Sequence, residues 1–260
     1  MNYDVFFTMG RAHTVCQDYA TVGTDMVALS DGCSSSKHTD FGARLLCRQA
    51  LKGWDPVSAV KMTLPHLEAF GLPTECLDAT LLLAGPTKDG LDVEALITGD
   101  GIVVARKRKG GYTLFLSEFP TGAPRYASYD LDPSRRARYL QEFKGVHRIT
   151  LVEDGVPVNV HELPLENADV NPFTTSFAVA TYDMVLLLSD GALSFHRPGL
   201  NGATEQVPYQ EVVAEMLDVK GFAGEFILRR ARAFLKKVTK EGWAHDDDFS
   251  VAAIYLGAAP

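Results

Sequence analysis

Met184-Val185-Leu186-Leu187-Leu188-Ser189-Asp190-Gly191 runs five apolar residues and a serine into an acid, with a glycine at once behind it. A short continuous apolar run closed by a turn signal marks a strand buried on both faces. The end of such a strand is fixed in space, and here a carboxylate sits there. The glycine lets the backbone turn sharply or approach a ligand closely. The phrase recurs. Asp25-Met26-Val27-Ala28-Leu29-Ser30-Asp31-Gly32 is nearly a copy, and Val93 through Gly99-Asp100-Gly101 is a third version. Near the C-terminal end the order reverses, with His245-Asp246-Asp247-Asp248 leading into the strand-like Phe249 to Leu256. Four buried strands therefore carry acid at an end, and the remaining chain reads as their scaffold.

Working outward, Tyr3 to Met9 reads as an opening strand, and Tyr19 to Val22 as a partner of Met26 to Leu29. Thr39 or Asp40 is the expected cap of a helix reaching about Lys52. A second helix, Pro56 to Phe70, is expected to be interrupted at Pro65. Strands at Ala79–Ala84, Leu91–Thr98, Ile102–Lys107 and Tyr112–Ser117 follow one another through short links. Close strands joined by short turns predict an antiparallel meander. Gly99-Asp100-Gly101 itself reads either as a type I′ hairpin turn or as part of the acid set. Phe119 to about Lys144 is an ordered loop and then a basic helix from Asp132-Pro133-Ser134; Tyr126, Tyr129, Arg135 and Arg136 form either a flap or a solvated face. A hairpin around Glu153-Asp154-Gly155, two strands, two amphipathic helices and the closing strand complete the chain. The prediction is one α+β domain over residues 1–260.

Composition bounds the function. The chain has 260 residues, 46% apolar and 22% charged, ordinary for a globular protein. A formal charge of -8 without a basic stripe argues against a nucleic-acid partner. The run Arg106-Lys107-Arg108-Lys109 reads as a solvated hairpin tip. Cysteines 16, 33, 47 and 76 have no paired or zinc-like spacing and read as free thiols. The first residues lack the pattern of a signal peptide, and no apolar run approaches the ~18 residues of a membrane span. A cytoplasmic protein with no membrane partner is expected.

Carboxylates at several strand ends, with few histidines, suit hard cations, which prefer oxygen ligands. Buried like charges repel unless a cation or proton neutralises them. Two ions roughly 3.5–4 Å apart suit water-driven attack on a phosphoryl group.

The order and spacing of these segments resembles the metal-dependent protein phosphatases of the type 2C family. The matching pieces are Gly10 through Gln17-Asp18-Tyr19, Val27 through Asp31-Gly32, Asp78-Ala79-Thr80, Gly99-Asp100, Leu188-Ser189-Asp190-Gly191 and Asp247-Asp248-Phe249-Ser250-Val251. The resemblance implies an αββα sandwich, two antiparallel β-sheets flanked by helices, holding two manganese or magnesium ions. It implies that Asp31 bridges both ions and Gly32 offers its carbonyl. Asp190 and Asp247 would complete the first site, Asp18 would serve the second, and Asp100 matches a third, weaker one. Asp31, Asp190 and Asp247 are the implied catalytic core, and Thr80 and Ser189 match buried hydroxyl positions with a supporting role.

This chain also departs from the family. The family's phosphate-clamping arginine lies five residues before the Asp18 position, where this chain has His13, with Arg11 nearby. Histidine holds phosphate only when protonated and without the bidentate fork. Cys16 replaces an asparagine, Cys33 a histidine, Ser35 and Ser36 glycines, and Ser194 stands where a second acid is common. The expected activity is hydrolysis of phosphoserine or phosphothreonine in a phosphorylated protein substrate. The alternatives are a catalytically weak or inactive phosphatase-like binding module, or a phosphatase of small molecules.

Overall fold

The computed structural model describes residues 1–53, 55–166, 172–200 and 203–257. The chain begins with β1 (Asn2–Thr8), β2 (Tyr19–Val22) and β3 (Val27–Ser30), then α1 (Thr39–Ala50) and α2 (Pro56–Phe70). Four strands follow: β4 (Leu81–Pro86), β5 (Asp92–Thr98), β6 (Gly101–Lys107) and β7 (Tyr112–Glu118). After α3 (Pro133–Glu142) come β8 (Val146–Glu153), β9 (Val156–Pro164), β10 (Phe173–Ala178) and β11 (Tyr182–Leu188). Short strands β12 (Phe195–Pro198) and β13 (Thr204–Gln206) precede α4 (Tyr209–Leu217) and α5 (Phe226–Lys240). The end is β14 (Ala244–His245) and β15 (Phe249–Tyr255).

The apolar run Met184 to Leu188 lies in β11, an interior strand of a seven-stranded sheet ordered β1-β15-β11-β6-β7-β8-β9. Successive side chains of a strand point to opposite faces. Met184, Leu186 and Leu188 therefore pack toward α4 and α5, with Val212, Met216, Ile227 and Phe234. Val185 and Leu187 point the other way, against Leu29, Leu82 and Ile97 of the second sheet. That sheet has five strands, β10-β5-β4-β3-β2. Its outer face, with Ala28, Leu81 and Leu83, is covered by Cys47 and Ala50 of α1 and Ala59 of α2. The layers run helix, sheet, sheet, helix, and the strand pairs are antiparallel throughout. Each fully buried Leu or Val contributes roughly 1.5–3 kcal/mol of gross burial energy. β6 and β15 likewise supply apolar residues to both cores, so these central strands join the two layers.

Several local expectations are corrected. Gly99-Asp100-Gly101 does not close a hairpin: β5 belongs to the five-stranded sheet and β6 to the seven-stranded one, so this link crosses between layers. Gly99 and Gly101 take φ of +92° and +133°, which allows the crossing within so few residues. The cap of α1 is His38 in a left-handed conformation (φ 61°), with no side-chain capping bond, and neither Thr39 nor Asp40 serves. Helix α2 runs through Pro65. The missing amide there would have served the carbonyl of Lys61, on an exposed residue that water can reach. The basic run is engaged with the protein and is not a solvated tip. Arg106 forks onto Asp183, Lys107 meets Glu153, and Arg108 donates to the carbonyls of Val179 and Gly257. The four cysteines are unpaired. Among the described residues, no helix is long and apolar enough to cross a membrane.

Candidate active site

Strand register decides which acids meet. In the five-stranded sheet Tyr19 pairs with Ser30, so Asp18 and Asp31 leave neighbouring strands at the same edge. In the seven-stranded sheet Leu188 pairs with both Val251 and Ile102. Asp190, the Asp247-Asp248 pair and Asp100 therefore gather at one edge of that sheet. The edges coincide. Asp31, Asp100, Asp190 and Asp247 line one cleft of about 270 Å³ together with His13, Gly32 and Cys33. Gly122, Pro124 and Tyr126 form a second wall, with Tyr126 beside Cys33. Asp18 is only 1% exposed and is placed against Asp31 and Asp190.

Each acid is aimed by its backbone. Asp31 is held by Thr80: its N–H donates to Thr80 Oγ1 (3.0 Å), and the Thr80 N–H donates to its carbonyl (2.8 Å). Ser30 Oγ donates to the Thr80 carbonyl at 2.6 Å, closing the brace. Ser189 Oγ accepts from the Ser250 N–H at 3.0 Å and so fixes β11 to β15 beside Asp190. Both hydroxyls thus brace the backbone beside an acid. Ser194 Oγ donates to the Gly191 carbonyl (2.8 Å) and accepts from the Asp247 N–H (3.3 Å). Gly191 is needed for the closeness of these segments, because a Cβ there would lie 1.8 Å from the carbonyl oxygen of Asp248.

The electrostatics set the cleft apart. Burial pushes Asp18 up to about 7; the charge of Asp190 adds to this, and the Ser250 and Ser189 hydroxyls oppose it. Burial raises Asp31 well above the usual carboxylate range, with Asp18, Asp190 and Asp100 adding repulsion. Asp100 is raised by burial and then by Asp190 and Asp247, and Asp247 by burial and Asp190. Both oxygens of Asp18 and Oδ1 of Asp190 are buried and form no well-aligned hydrogen bond among the described residues, although the Ser250 and Ser189 hydroxyls lie beside Asp18. Unpaired buried carboxylate oxygens are costly unless a proton or cation meets them. The donor set is hard oxygen, which fits a divalent cation such as magnesium or manganese. Among the described residues no three His, Cys, Asp or Glu side chains converge as a ready-made ligand cage. Magnesium usually keeps several waters, which leaves its carboxylates spaced apart.

The two residues expected at the phosphate part company. His13 lines the cleft, with Nε2 3.3 Å from Asp247 and Nδ1 3.1 Å from Asp248. Burial lowers its pKa, but Asp248, Asp247 and Asp18 outweigh that and raise it overall. Arg11 is exposed and pairs with Asp246, and it is not among the cleft residues. Asp248 accepts from the Gly10 and Gln17 N–H groups at 2.8 and 2.5 Å, and so holds the loop that carries His13 and Asp18. Tyr126, which the sequence left as part of a flap or of a solvated face, is 5% exposed and lines the cleft. Its hydroxyl is raised by burial and then by Cys33 and Asp100, so it stays protonated as a donor. Of the two readings of that region, Arg135 supports the flap: it is mostly buried and paired with Asp78.

No protein-family model matches the sequence, and no curated protein matches it significantly. Solved structures do match. A bacterial serine phosphatase carrying an arginine-to-lysine substitution aligns at TM-score 0.57 and 11% identity, covering 99% of this chain and 98% of its own. The catalytic domain of the serine/threonine protein phosphatase PstP, in complex with two manganese ions, aligns at 0.53 and 15%, covering 96% of each chain. The serine/threonine phosphatase Stp1 from Staphylococcus aureus aligns at 0.52 and 11%, covering 99% of this chain and 96% of its own. At such identities the likeness is one of fold. The chain has the αββα fold of the type 2C serine/threonine phosphatases, as the sequence resemblance implied.

Proposed function

We propose that the protein is a manganese- or magnesium-dependent serine/threonine phosphatase acting on phosphorylated proteins. One observation carries the reading: Asp31, Asp100, Asp190 and Asp247 share a cleft beside Asp18, and buried carboxylate oxygens of Asp18 and Asp190 form no well-aligned hydrogen bond among the described residues. Asp31 would be common to two ion sites, with the Gly32 carbonyl beside it. Asp190 and Asp247 would complete one site, Asp18 the other, and Asp100 a third, weaker one. When bound, such ions activate water at neutral pH and offset the charge of a phosphoryl group. Thr80 fixes the Asp31 backbone, so that the carboxylate needs little reorganisation. His13, in its protonated form, is the cation within reach of phosphate oxygens from the side of Asp247. Tyr126 offers a protonated hydroxyl beside Cys33. The small volume of the cleft suits the phosphorylated side chain, with the rest of a protein substrate outside.

His13 also favours a second reading, a binding module with weak or no turnover. Its ring already lies between two carboxylates, and Arg11 is spent on Asp246. Manganese titration by calorimetry, paired with turnover assays on phosphoserine peptides, separates the two. Metal binding with turnover is the expected result. Metal binding with no turnover on any phosphopeptide or small phosphate ester establishes the module.

A further inference from the structure

The cleft has two walls. One is the loop Gly32 to Ser35 that follows Asp31, and the other is Gly122, Pro124 and Tyr126 of the flap. Nothing in the sequence shows what holds them at their spacing. In the structure a single carboxylate touches both sides. Asp78 Oδ2 accepts from Ser36 Oγ at 2.8 Å, next to the first wall. Its Oδ1 accepts from Ser128 Oγ at 2.7 Å, two residues beyond Tyr126. Arg135 Nη2 lies 2.9 and 2.8 Å from the two oxygens, and the Asp78 carbonyl accepts from the Cys33 N–H at 2.8 Å. The Asp78 side chain is 4% exposed and that of Arg135 16%. The guanidinium of Arg135 lies 5.0 Å over the Tyr129 ring, which in turn meets Tyr126 edge-on at 5.6 Å.

We infer that Asp78 is a positioning residue that sets the width of the cleft by tying the Cys33–Ser36 loop to the Tyr126 flap. It lines neither the cleft nor any candidate ion site, so its effect passes through Cys33 on one side and Tyr126 on the other. A charge-assisted, buried latch of this kind is strong only while both partners are present. With the latch intact, a phosphate group meets the acids and the Tyr126 hydroxyl at one fixed spacing. Without it only the contact of Tyr126 with Cys33 still joins the walls, and binding suffers before the chemical step does. The kinetic part of this inference rests on the phosphatase reading, whereas the coupling of the two walls does not.

The test uses the full chain with Asp78→Asn and Arg135→Met combined, because a single change would strand a buried charge and could unfold the protein. Hydrogen exchange is read on both walls, residues 33–36 and 126–131, in the metal-free protein. Turnover of a small phosphate ester is read with manganese present. The expected result is exchange faster by about tenfold on both walls, KM higher by about tenfold, and kcat within about threefold of wild type. Faster exchange on one wall only, or on neither, overturns the inference. So does an unchanged KM when both walls loosen, since Asp78 would then be structural only. If wild type hydrolyses nothing, the phosphatase reading fails, and exchange alone decides whether Asp78 couples the walls.

Discussion

Two regions of the molecule bury carboxylates to a similar depth and treat them in opposite ways. Asp4 on β1 accepts from the N–H groups of Ile227 and Leu228 at 2.6 and 3.0 Å, and from Val5 at 2.9 Å. It thereby caps α5, whose own preceding residue makes no side-chain cap. Asp248 is satisfied in the same way by Gly10 and Gln17. Asp18, as deeply buried as Asp248, has no backbone donor and no well-aligned hydrogen bond among the described residues, with only the Ser250 and Ser189 hydroxyls beside it, and Asp190 lacks a partner there on Oδ1. A buried acid given backbone donors is part of the fold, because its charge is offset within the chain itself. On the proposed reading, a buried acid left beside other acids is held for a cation from outside.

The contrast gives signs as well as sizes. Replacing Asp248 with Ala removes two charge-assisted bonds and leaves both amides unsatisfied. It should cost about 3 kcal/mol in a denaturant titration, the largest effect expected here. Asp18→Asn should do the reverse in metal-free protein, stabilising it by about 1 kcal/mol at pH 8 because it removes a charge from a crowded site. The pH dependence follows from the raised pKa of Asp18. Unfolded, the group ionises near its ordinary value of about 4, whereas folded it ionises at about 7. Stability is therefore full below the unfolded value and is lost as pH rises through the folded one. Thermal unfolding of metal-free wild type should weaken from pH 5 to pH 8, and Asp18→Asn should flatten that decline. If Asp18→Asn and Asp248→Ala destabilise alike, the contrast between the two regions is wrong.

Smaller effects sharpen it. Thr80→Val strands the Asp31 N–H and should cost about 1–2 kcal/mol in thermal unfolding, with a fall in turnover as Asp31 loses its brace. Arg11→Ala breaks only an exposed pair, so stability should change by less than about 0.5 kcal/mol, with KM unchanged. A several-fold rise in KM would instead place Arg11 at the phosphate.

Much of this was legible in the sequence because burial on two faces leaves a local mark. Met184 to Leu188 could be read as a doubly buried strand, and its echo at Val27 to Ser30 placed a second acid. Separation between layers leaves no such mark. Gly99-Asp100-Gly101 has the composition of a hairpin turn, and only the sheet order shows it to be a crossing. The three-stranded sheet of β13, β12 and β14 escaped because its strands are too short for periodicity to register. The latch at Asp78 joins residues far apart in the chain, so Arg135 read equally well as part of a solvated helix. His38 as a left-handed cap was hidden for another reason: Thr39 and Asp40 carry stronger local capping preferences, and the turn after Ser36 overrides them.

The most direct test of the central claim is phosphate release from a mixed phosphoserine and phosphothreonine peptide library. It would compare wild type and Asp31→Asn, each with manganese and with chelator. The account predicts release by wild type that requires manganese, and a loss of about a hundredfold or more in the variant. Release that persists in chelator, or an Asp31→Asn protein as active as wild type, would contradict it.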